Sequence, residues 1–415
     1  MNLRERFHEV MNFNTSVPAM KWEFGLWGET VNNWYDQGLP RQNPPVLEKE
    51  STTPTASLYT KAWTAGGCGR LPRGIAVMAG GLYWPTQGFP LDADVRRAFQ
   101  MDHTQVMVDV NLLFSPLFEV VIHEETAERL FYTDMDGVKR VFLKDEATIP
   151  TSMEWPIKDR ESWEKLKRER LRTDDIAARF PKNWGRRLEE YRNRDYPLAL
   201  GGYPHGFFGT LAHLIGYERL FYWYCLDPAL VHDILSTFCD LWLAVYEEVL
   251  AHVEVDHVHF WEDISSGKGS MISNAMVREF LLPYYRKIID FLKARGVKIF
   301  LVDTDGDCNE LIPLFMSVGV TGMYPFETHC GMDIVKVRRQ YPKLQMCGGI
   351  SKSEIVKGKT RIDEILKPVA EVLRTGGYIP FADHFVPPDV SWRDFSYYRR
   401  RLNDLIDRCG ESEKR

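Results

Sequence analysis

Apolar residues along this chain fall into short β-rich runs, separated by stretches in which they recur every three or four positions. The alternation is clearest from about Asp256 onward. His257-Val258-His259-Phe260-Trp261 reads as a strand. Val277, Phe280, Leu281, Tyr284, Ile288, Phe291 and Leu292 then share one face of a helix predicted from about Asn274 to Arg295. Pro283 predicts a kink in it, and Gly296 a stop. The next apolar run, Val297 to Val302, ends abruptly in Asp303-Thr304-Asp305-Gly306-Asp307. Val320 to Phe326, Leu344 to Gly348 and Tyr378 to Ala382 read as further strands, with helical patterns between them. Strands that alternate with helices imply parallel pairing through crossover helices.

Upstream, Pro197 to Gly202 and Val106 to Leu113 read as two earlier strands. Helices are predicted over about Gly209 to Trp223 and from Asp227-Pro228, an N-cap acid with proline at the first helical position. Residues 125–194 are charge-rich, carry a turn signal at Thr133-Asp134-Met135-Asp136-Gly137, and read as an insertion over the body of the fold. Residues 1–75, rich in Trp, Asn, Gly and Pro, read as a lid-like amino-terminal extension; 76–409 form the body and 410–415 a frayed tail. About seven strand candidates favour an α/β fold of the (β/α)₈ TIM-barrel type over a doubly wound sheet. No G-x-G-x-x-G follows a strand, which speaks against a dinucleotide fold.

Composition narrows the class. With 415 residues, 44% hydrophobic and 27% charged, the chain is long enough for one large barrel or two ordinary domains. A net charge of −6 gives no electrostatic drive toward nucleic acid or an anionic membrane. No run approaches the roughly 18 apolar residues of a membrane span, and Met1 to Phe7 lacks the apolar core of a signal peptide. Seven cysteines at irregular spacings make no disulfide framework, so a reducing cytoplasm is the expected location.

In a barrel, the residues just past each strand converge on one face. Those positions hold Glu262 and Asp263, then Asp303, Asp305 and Asp307, then Glu327 and His329, then Cys347, and finally Asp383 and His384. Any one acid is explained as well by capping the next helix; the recurrence points to an enzyme site. Acids this close repel one another, and a cation, a basic side chain or a proton relieves them. Asp303-x-Asp305 puts both carboxylates near the same mouth if the strand pleat persists. With His384 they make a set suited to a hard or borderline cation, a proton-shared or arginine-bound acid pair being the equal competitor. The stretch also begins like a calcium loop, but Cys308 and Leu314 occupy its sixth and twelfth positions.

Three further clusters are candidates for substrate binding. Glu327 and His329, beside Cys330, suit a metal or thiolate site, or a polar loop over a buried cysteine. Tyr203 and His205 lie in the glycine-rich turn Gly201 to Gly209, where a substrate would meet backbone amides at a helix start unless the glycines only serve a tight turn. Trp22, Phe24 and Trp27 form either an aromatic wall over a flat substrate or a packing face of the extension.

The chain resembles the uroporphyrinogen decarboxylase superfamily, which also holds corrinoid-dependent methyltransferases. The resemblance is best from Gly201 to Tyr398. It rests on Gly206-Phe207-Phe208-Gly209, Leu214 to Glu218, Asp227-Pro228, Glu262-Asp263, Ser273, Pro283-Tyr284-Tyr285, Gly331-Met332-Asp333, Gly348-Gly349-Ile350 and Pro387-Pro388-Asp389. It implies a (β/α)₈ barrel with its cleft at the carboxyl ends of the strands and, by analogy, a homodimer. The decarboxylases carry an arginine-rich segment near the amino terminus; here the equivalent place reads Phe24-Gly25-Leu26-Trp27-Gly28-Glu29, without arginine. The methyltransferases carry a His-x-Cys-Gly zinc motif that aligns with Asp303-Thr304-Asp305-Gly306, and their later cysteine falls near His384.

The resemblance therefore implies a one-carbon transferase that moves a methyl group between a small methoxylated or methylated compound and a corrinoid protein. Asp303, Asp305 and His384 would hold a divalent metal or polarise the leaving oxygen, and Glu262 or Asp263 would orient that oxygen or act as acid. A decarboxylase acting on another carboxylated substrate is the alternative, and a non-catalytic ligand- or corrinoid-binding barrel the third reading.

Overall fold

In a computed structural model that describes residues 1–40, 76–78, 93–143 and 149–411, the apolar runs pair in parallel, each beside the next in the chain. The strands are β1 (Val106–Met107), β2 (Leu198–Gly201), β3 (His257–Trp261), β4 (Ile299–Asp303), β5 (Gly322–Tyr324), β6 (Gln345–Cys347) and β7 (Tyr378–Ile379). β3 and β4 run in register from His257 beside Ile299 to Trp261 beside Asp303. Every residue of β4 is buried, as a strand covered on both faces requires. Its alternate residues serve two cores. Phe300 and Val302 pack outward in the layer between sheet and helices. Ile299 and Leu301 point inward, where they meet Tyr324, Cys347 and Ile379. The fold is the α/β barrel that the alternation of strands and helices predicts.

The described part of the amino-terminal extension is not a lid. Helix Leu3–Met11 sits under the barrel, at the amino-terminal ends of the strands. Arg4 and His8 bind Asp256 just before β3, at 2.6 and 2.7 Å, and Phe7 packs on His257. Residues 21–27 then rise through the seam between β7 and β1. Lys21 exchanges hydrogen bonds with Asp102, Trp22 Nε1 donates to the His103 carbonyl, and Leu26 bridges in parallel to Val386. Glu23, fully buried, accepts from the Ala382 amide at 2.7 Å and pairs with Arg399 at 3.3 Å. This segment is a stave of the barrel wall. Residues 41–75 of the extension lie outside the described residues.

The charge-rich insertion is an antiparallel sheet of Val121–Glu125, Arg129–Thr133, Lys139–Leu143 and Thr151–Glu154, followed by helices Arg160–Arg170 and Trp184–Arg192. The helix predicted over Gly209 to Trp223 is two helices, Phe207–Ile215 and Tyr217–Leu226. They part at Gly216, whose φ of +85° and closeness to the Trp155 ring exclude a side chain. The kink predicted at Pro283 takes the form of a π-turn over Val277–Leu281. Helix Pro228–Leu250 is long and apolar enough to cross a membrane by length and composition, although polar residues interrupt its apolar positions. Its Val231, Ile234, Leu235, Phe238, Leu241 and Trp242 are wholly buried in the protein's own core. The carboxyl-terminal helix runs through Glu411, one residue past the predicted start of fraying.

Candidate active site at the barrel mouth

Glu262, just past β3, turns away from the mouth. Its carboxylate accepts the backbone N–H groups of Phe207, Phe208 and Gly209 at 2.8, 2.6 and 2.9 Å, and the Tyr285 hydroxyl besides. It thereby satisfies the free amides that begin helix Phe207–Ile215, the place where a substrate anion was expected. The glycines of this turn are there because a Cβ on Gly206 or Gly209 would lie 1.9 or 2.3 Å from the Trp261 carbonyl oxygen. Burial pushes Glu262 up to about 7, against the pull of Tyr285 and the three amides. Four donors and a helix amino terminus suit the charged form. Glu262 is a structural pin and not the catalytic acid expected from the sequence.

His205 is likewise interior. Tyr246 contacts its Nε2 at 2.5 Å, and Trp242 and Phe260 pack on its ring. Burial pushes its imidazole down to about 3, and its ring is packed in the interior, not at the surface position expected of a substrate-binding group. Tyr203, two residues earlier, is half-buried with its ring edge-on to Trp261 at 4.6 Å.

Asp263 and Asp305 are the acids that face each other's charge at the mouth. The Glu262 and Asp263 amides both point to the Asp303 carbonyl, and Asp263 adopts a left-handed φ of +45°, a conformation that non-glycine residues rarely hold. Its carboxyl accepts the Tyr217 hydroxyl at 3.2 Å. Burial first, and then the charge of Asp305, push Asp263 up to about 7. Burial alone would raise Asp305 too, but His384, 3.3 Å away, and Lys352 hold it below the usual carboxylate range. The two neighbouring acids are thus pushed in opposite directions, Asp263 up and Asp305 down.

Asp303 and Asp305 do not act as one pair. β4 ends at Asp303, whose carboxylate turns into the barrel toward His259 Nε2 at 3.2 Å, with the Tyr324 hydroxyl 2.8 Å from the same nitrogen. Thr304 then breaks the pleat: its hydroxyl takes the Ile264 and Ser265 amides. Asp305 is left to face His384. Among the described residues the set of metal-ligating atoms that converges is not Asp303, Asp305 and His384. It is Glu327, His329 and Cys330, all within 4.8 Å of one another. Glu327 also accepts the Gly306 amide at 2.9 Å and pairs with Lys352 at 3.4 Å, while His329 is exposed at the rim. Burial and then Glu327 push the Cys330 thiol up to about 11.

The aromatic cluster divides. Trp22 is interior, stacked on Phe7 at 5.7 Å. Phe24 is fully buried behind His384, with ring centroids 4.9 Å apart. Trp27, against Phe385 at 5.3 Å, stays half-buried. Trp27, Trp261 and Tyr203 are half-buried, and Tyr217 is exposed. Sequence reasoning missed Tyr217, Lys352 and Trp261. Trp261 closes a predicted strand and Lys352 follows the Gly348-Gly349 turn, so both stood at legible mouth positions.

The sequence family described as Uroporphyrinogen decarboxylase (URO-D) matches residues 145–398. A solved methyltransferase from Methanosarcina mazei superposes with a TM-score of 0.50 at 14% identity, over 91% of this chain and 99% of that one. That likeness speaks for the fold. A B12-independent methionine synthase from Shewanella sp. W3-18-1 is more distant, with a TM-score of 0.39 at 9% identity over 77% and 88% of the two chains. No curated protein matches the sequence.

Proposed function

The chain belongs to the uroporphyrinogen decarboxylase (URO-D) family of enzymes, and on that premise we propose that it moves a methyl group from a small methoxylated compound to a corrinoid carried by a partner protein. The observation that carries this reading is the arrangement at the mouth: His384 stands 3.3 Å from Asp305, while the neighbouring Asp263, bound by the Tyr217 hydroxyl at 3.2 Å, is pushed up to about 7 by burial and the charge of Asp305. As the methyl carbon–oxygen bond breaks, its electron pair stays on oxygen, and Asp263 gives that oxygen its proton. Asp305, fixed by His384, keeps the Asp263 carboxyl protonated beforehand by repulsion. A reduced corrinoid, when delivered, supplies the nucleophile that accepts the methyl group. The half-buried rings of Trp27, Trp261 and Tyr203 suit a flat ligand at this mouth.

Glu327, His329 and Cys330 fit a borderline divalent cation such as zinc, offering one oxygen, one nitrogen and one sulfur atom. An ion bound there would supply Lewis-acid polarisation of the leaving oxygen. The surrounding carboxylates Asp263, Asp305 and Glu327 disfavour a substrate with several carboxylate arms, because Lys352 is already paired with Glu327. That supports an uncharged methyl donor over a porphyrinogen. The exposed His329 at the rim favours the runner-up, a decarboxylase for a singly carboxylated substrate, in which Asp263 protonates carbon instead.

The deciding experiment mixes the protein with free cob(I)alamin and methoxylated aromatic compounds and follows the methylcobalamin absorbance. Methylation that disappears in Asp263→Asn supports the proposal. Carbon dioxide release from a carboxylated analogue, with no methylcobalamin formed, would replace it with the decarboxylase.

A further inference from the structure

Asp383 stands just past β7 at the barrel mouth, and the chemistry proposed above leaves it unused. It is only 1% exposed, and its carboxylate binds two neighbouring loops. Oδ2 accepts both the backbone N–H and the hydroxyl of Thr328, at 2.9 and 2.7 Å. Oδ1 accepts the Lys352 amide at 2.9 Å. These donors are two amides and a hydroxyl, so what the carboxylate supplies is acceptors, one oxygen for each loop. An asparagine cannot do the same: whichever loop its NH₂ end faced would present a backbone N–H to it.

Thr328 lies between Glu327 and His329 and opens the turn Thr328–Cys330, where the ligating atoms of Glu327, His329 and Cys330 converge. Holding its amide and its side chain together fixes the backbone that joins two of those three groups. That backbone needs holding. Phe326, just before Glu327, has a left-handed φ of +59°, a conformation that persists in a bulky residue only where surrounding contacts enforce it. The second loop begins helix Lys352–Ile355, and with its amide anchored Lys352 Nζ stands 3.4 Å from Glu327 Oε1. His384, the next residue after Asp383, faces Asp305 at 3.3 Å. One buried carboxylate thus joins the loop of Glu327, the loop of Lys352 and the loop of His384.

We infer that Asp383, acting through Thr328, is the positioning residue of a divalent-cation site formed by Glu327, His329 and Cys330. This rests on the cation fit described above and deepens it, by naming the group that sets the geometry of the ligands. Asp383 is not itself a ligand, because both of its oxygens are engaged by the two loops. Hydrogen-bond partners behind the ligands of a metal hold those ligands in direction, and losing one typically weakens metal binding by about 10- to 100-fold.

The test adds cobalt(II) to the purified protein alone, reading affinity by titration calorimetry and ligand geometry by the sulfur-to-cobalt charge-transfer band. Asp383→Asn is expected to weaken cobalt binding by about 10- to 100-fold and to diminish the band at saturation. Thr328→Val keeps the amide contact and removes only the hydroxyl one, so its loss should be smaller, about threefold. It also decides the matter if Asp383→Asn does not fold. Urea unfolding of both variants is followed alongside. A lowered unfolding midpoint with cobalt affinity and band unchanged, in Asp383→Asn or, where that variant does not fold, in Thr328→Val, would overturn the inference by showing that the carboxylate serves the fold alone. Methyl transfer to cob(I)alamin by a wild type that binds no cobalt(II) would overturn it too, and leave the proposed reaction standing. Cobalt binding that weakens as expected, in a protein that transfers no methyl group, would uphold the positioning role and sink the reaction.

Discussion

Asp305 faces His384 across the barrel mouth at 3.3 Å, and this pairing fixes the state of the neighbouring Asp263. An ionised Asp305 is the largest influence after burial that keeps Asp263 protonated. Two acids that look equivalent in the sequence are therefore pushed apart, Asp263 up and Asp305 down, as the proposed acid catalysis requires.

If Asp263 is the acid, its protonated form is the active one. The rate should be level below neutrality and fall as pH rises through about 7, where Asp263 loses its proton. Asp263→Asn should lower kcat by about 10² to 10⁴-fold with little change in fold. A pH–rate profile that rises through neutrality would contradict the assignment.

Glu262 should behave differently. Glu262→Gln strands at least one of its four donors in the core, and about 3 kcal/mol of stability should be lost in urea unfolding. A loss of activity at unchanged stability would return Glu262 to the catalytic role that the structure denies it.

Asp256 ties the amino-terminal helix to the barrel floor through Arg4, His8 and Arg194. Burial opposes its charge, but His8, Arg194 and Arg4 together hold its carboxyl well below the usual range. A depressed acid contributes stability above its unfolded-state value and loses it as pH falls through the folded one. Asp256→Asn should therefore be less stable at pH 7 by about 3 kcal/mol, and the gap should begin to close only below about pH 4, at the ordinary aspartate pKa. Equal unfolding midpoints at neutral pH would show that the floor does not depend on this carboxylate.

Metal content separates the two candidate ligand sets. Zinc or cobalt loaded into the purified protein should be retained in Asp303→Asn and lost in Cys330→Ser, measured by elemental analysis. Cobalt should also show a sulfur-to-metal charge-transfer band that only the Cys330 set provides. Loss in Asp303→Asn with retention in Cys330→Ser would restore the ligands expected from the sequence.

The barrel was legible because parallel strands buried on both faces are written as unbroken apolar runs, as in Ile299 to Val302. Residues just past those strands were legible for the same reason, and Asp263, Asp305, Glu327 and His384 do gather at one end. Direction was not legible. Whether Glu262 faces the mouth or the amides of Phe207 to Gly209 depends on a contact across more than 50 positions, |i−j| being 55 for Phe207. The separation of Asp303 from Asp305 turns on Thr304, whose hydroxyl bonds form with a neighbouring loop that no local pattern announces. Of the two readings of the aromatic cluster Trp22 to Trp27, packing holds for Trp22 and Phe24; that the segment closes the barrel wall was not legible, because its partners near Ala382 and Val386 lie more than 350 positions away.

That stave also has a history. Thr30 binds the Val386 carbonyl and Trp34 the Val390 carbonyl, each across 356 positions of chain. On the ribosome, Thr30 and Trp34 emerge 356 positions before their partners exist. Until then the nascent sheet has two raw edges, and the aromatic strip destined for the seam is uncovered. Such late closure costs loop entropy and slows folding. The cell's burden with this protein is therefore expected to fall on holding an unclosed intermediate in solution, and overexpression should yield soluble enzyme best when translation is slow or holdase chaperones are abundant.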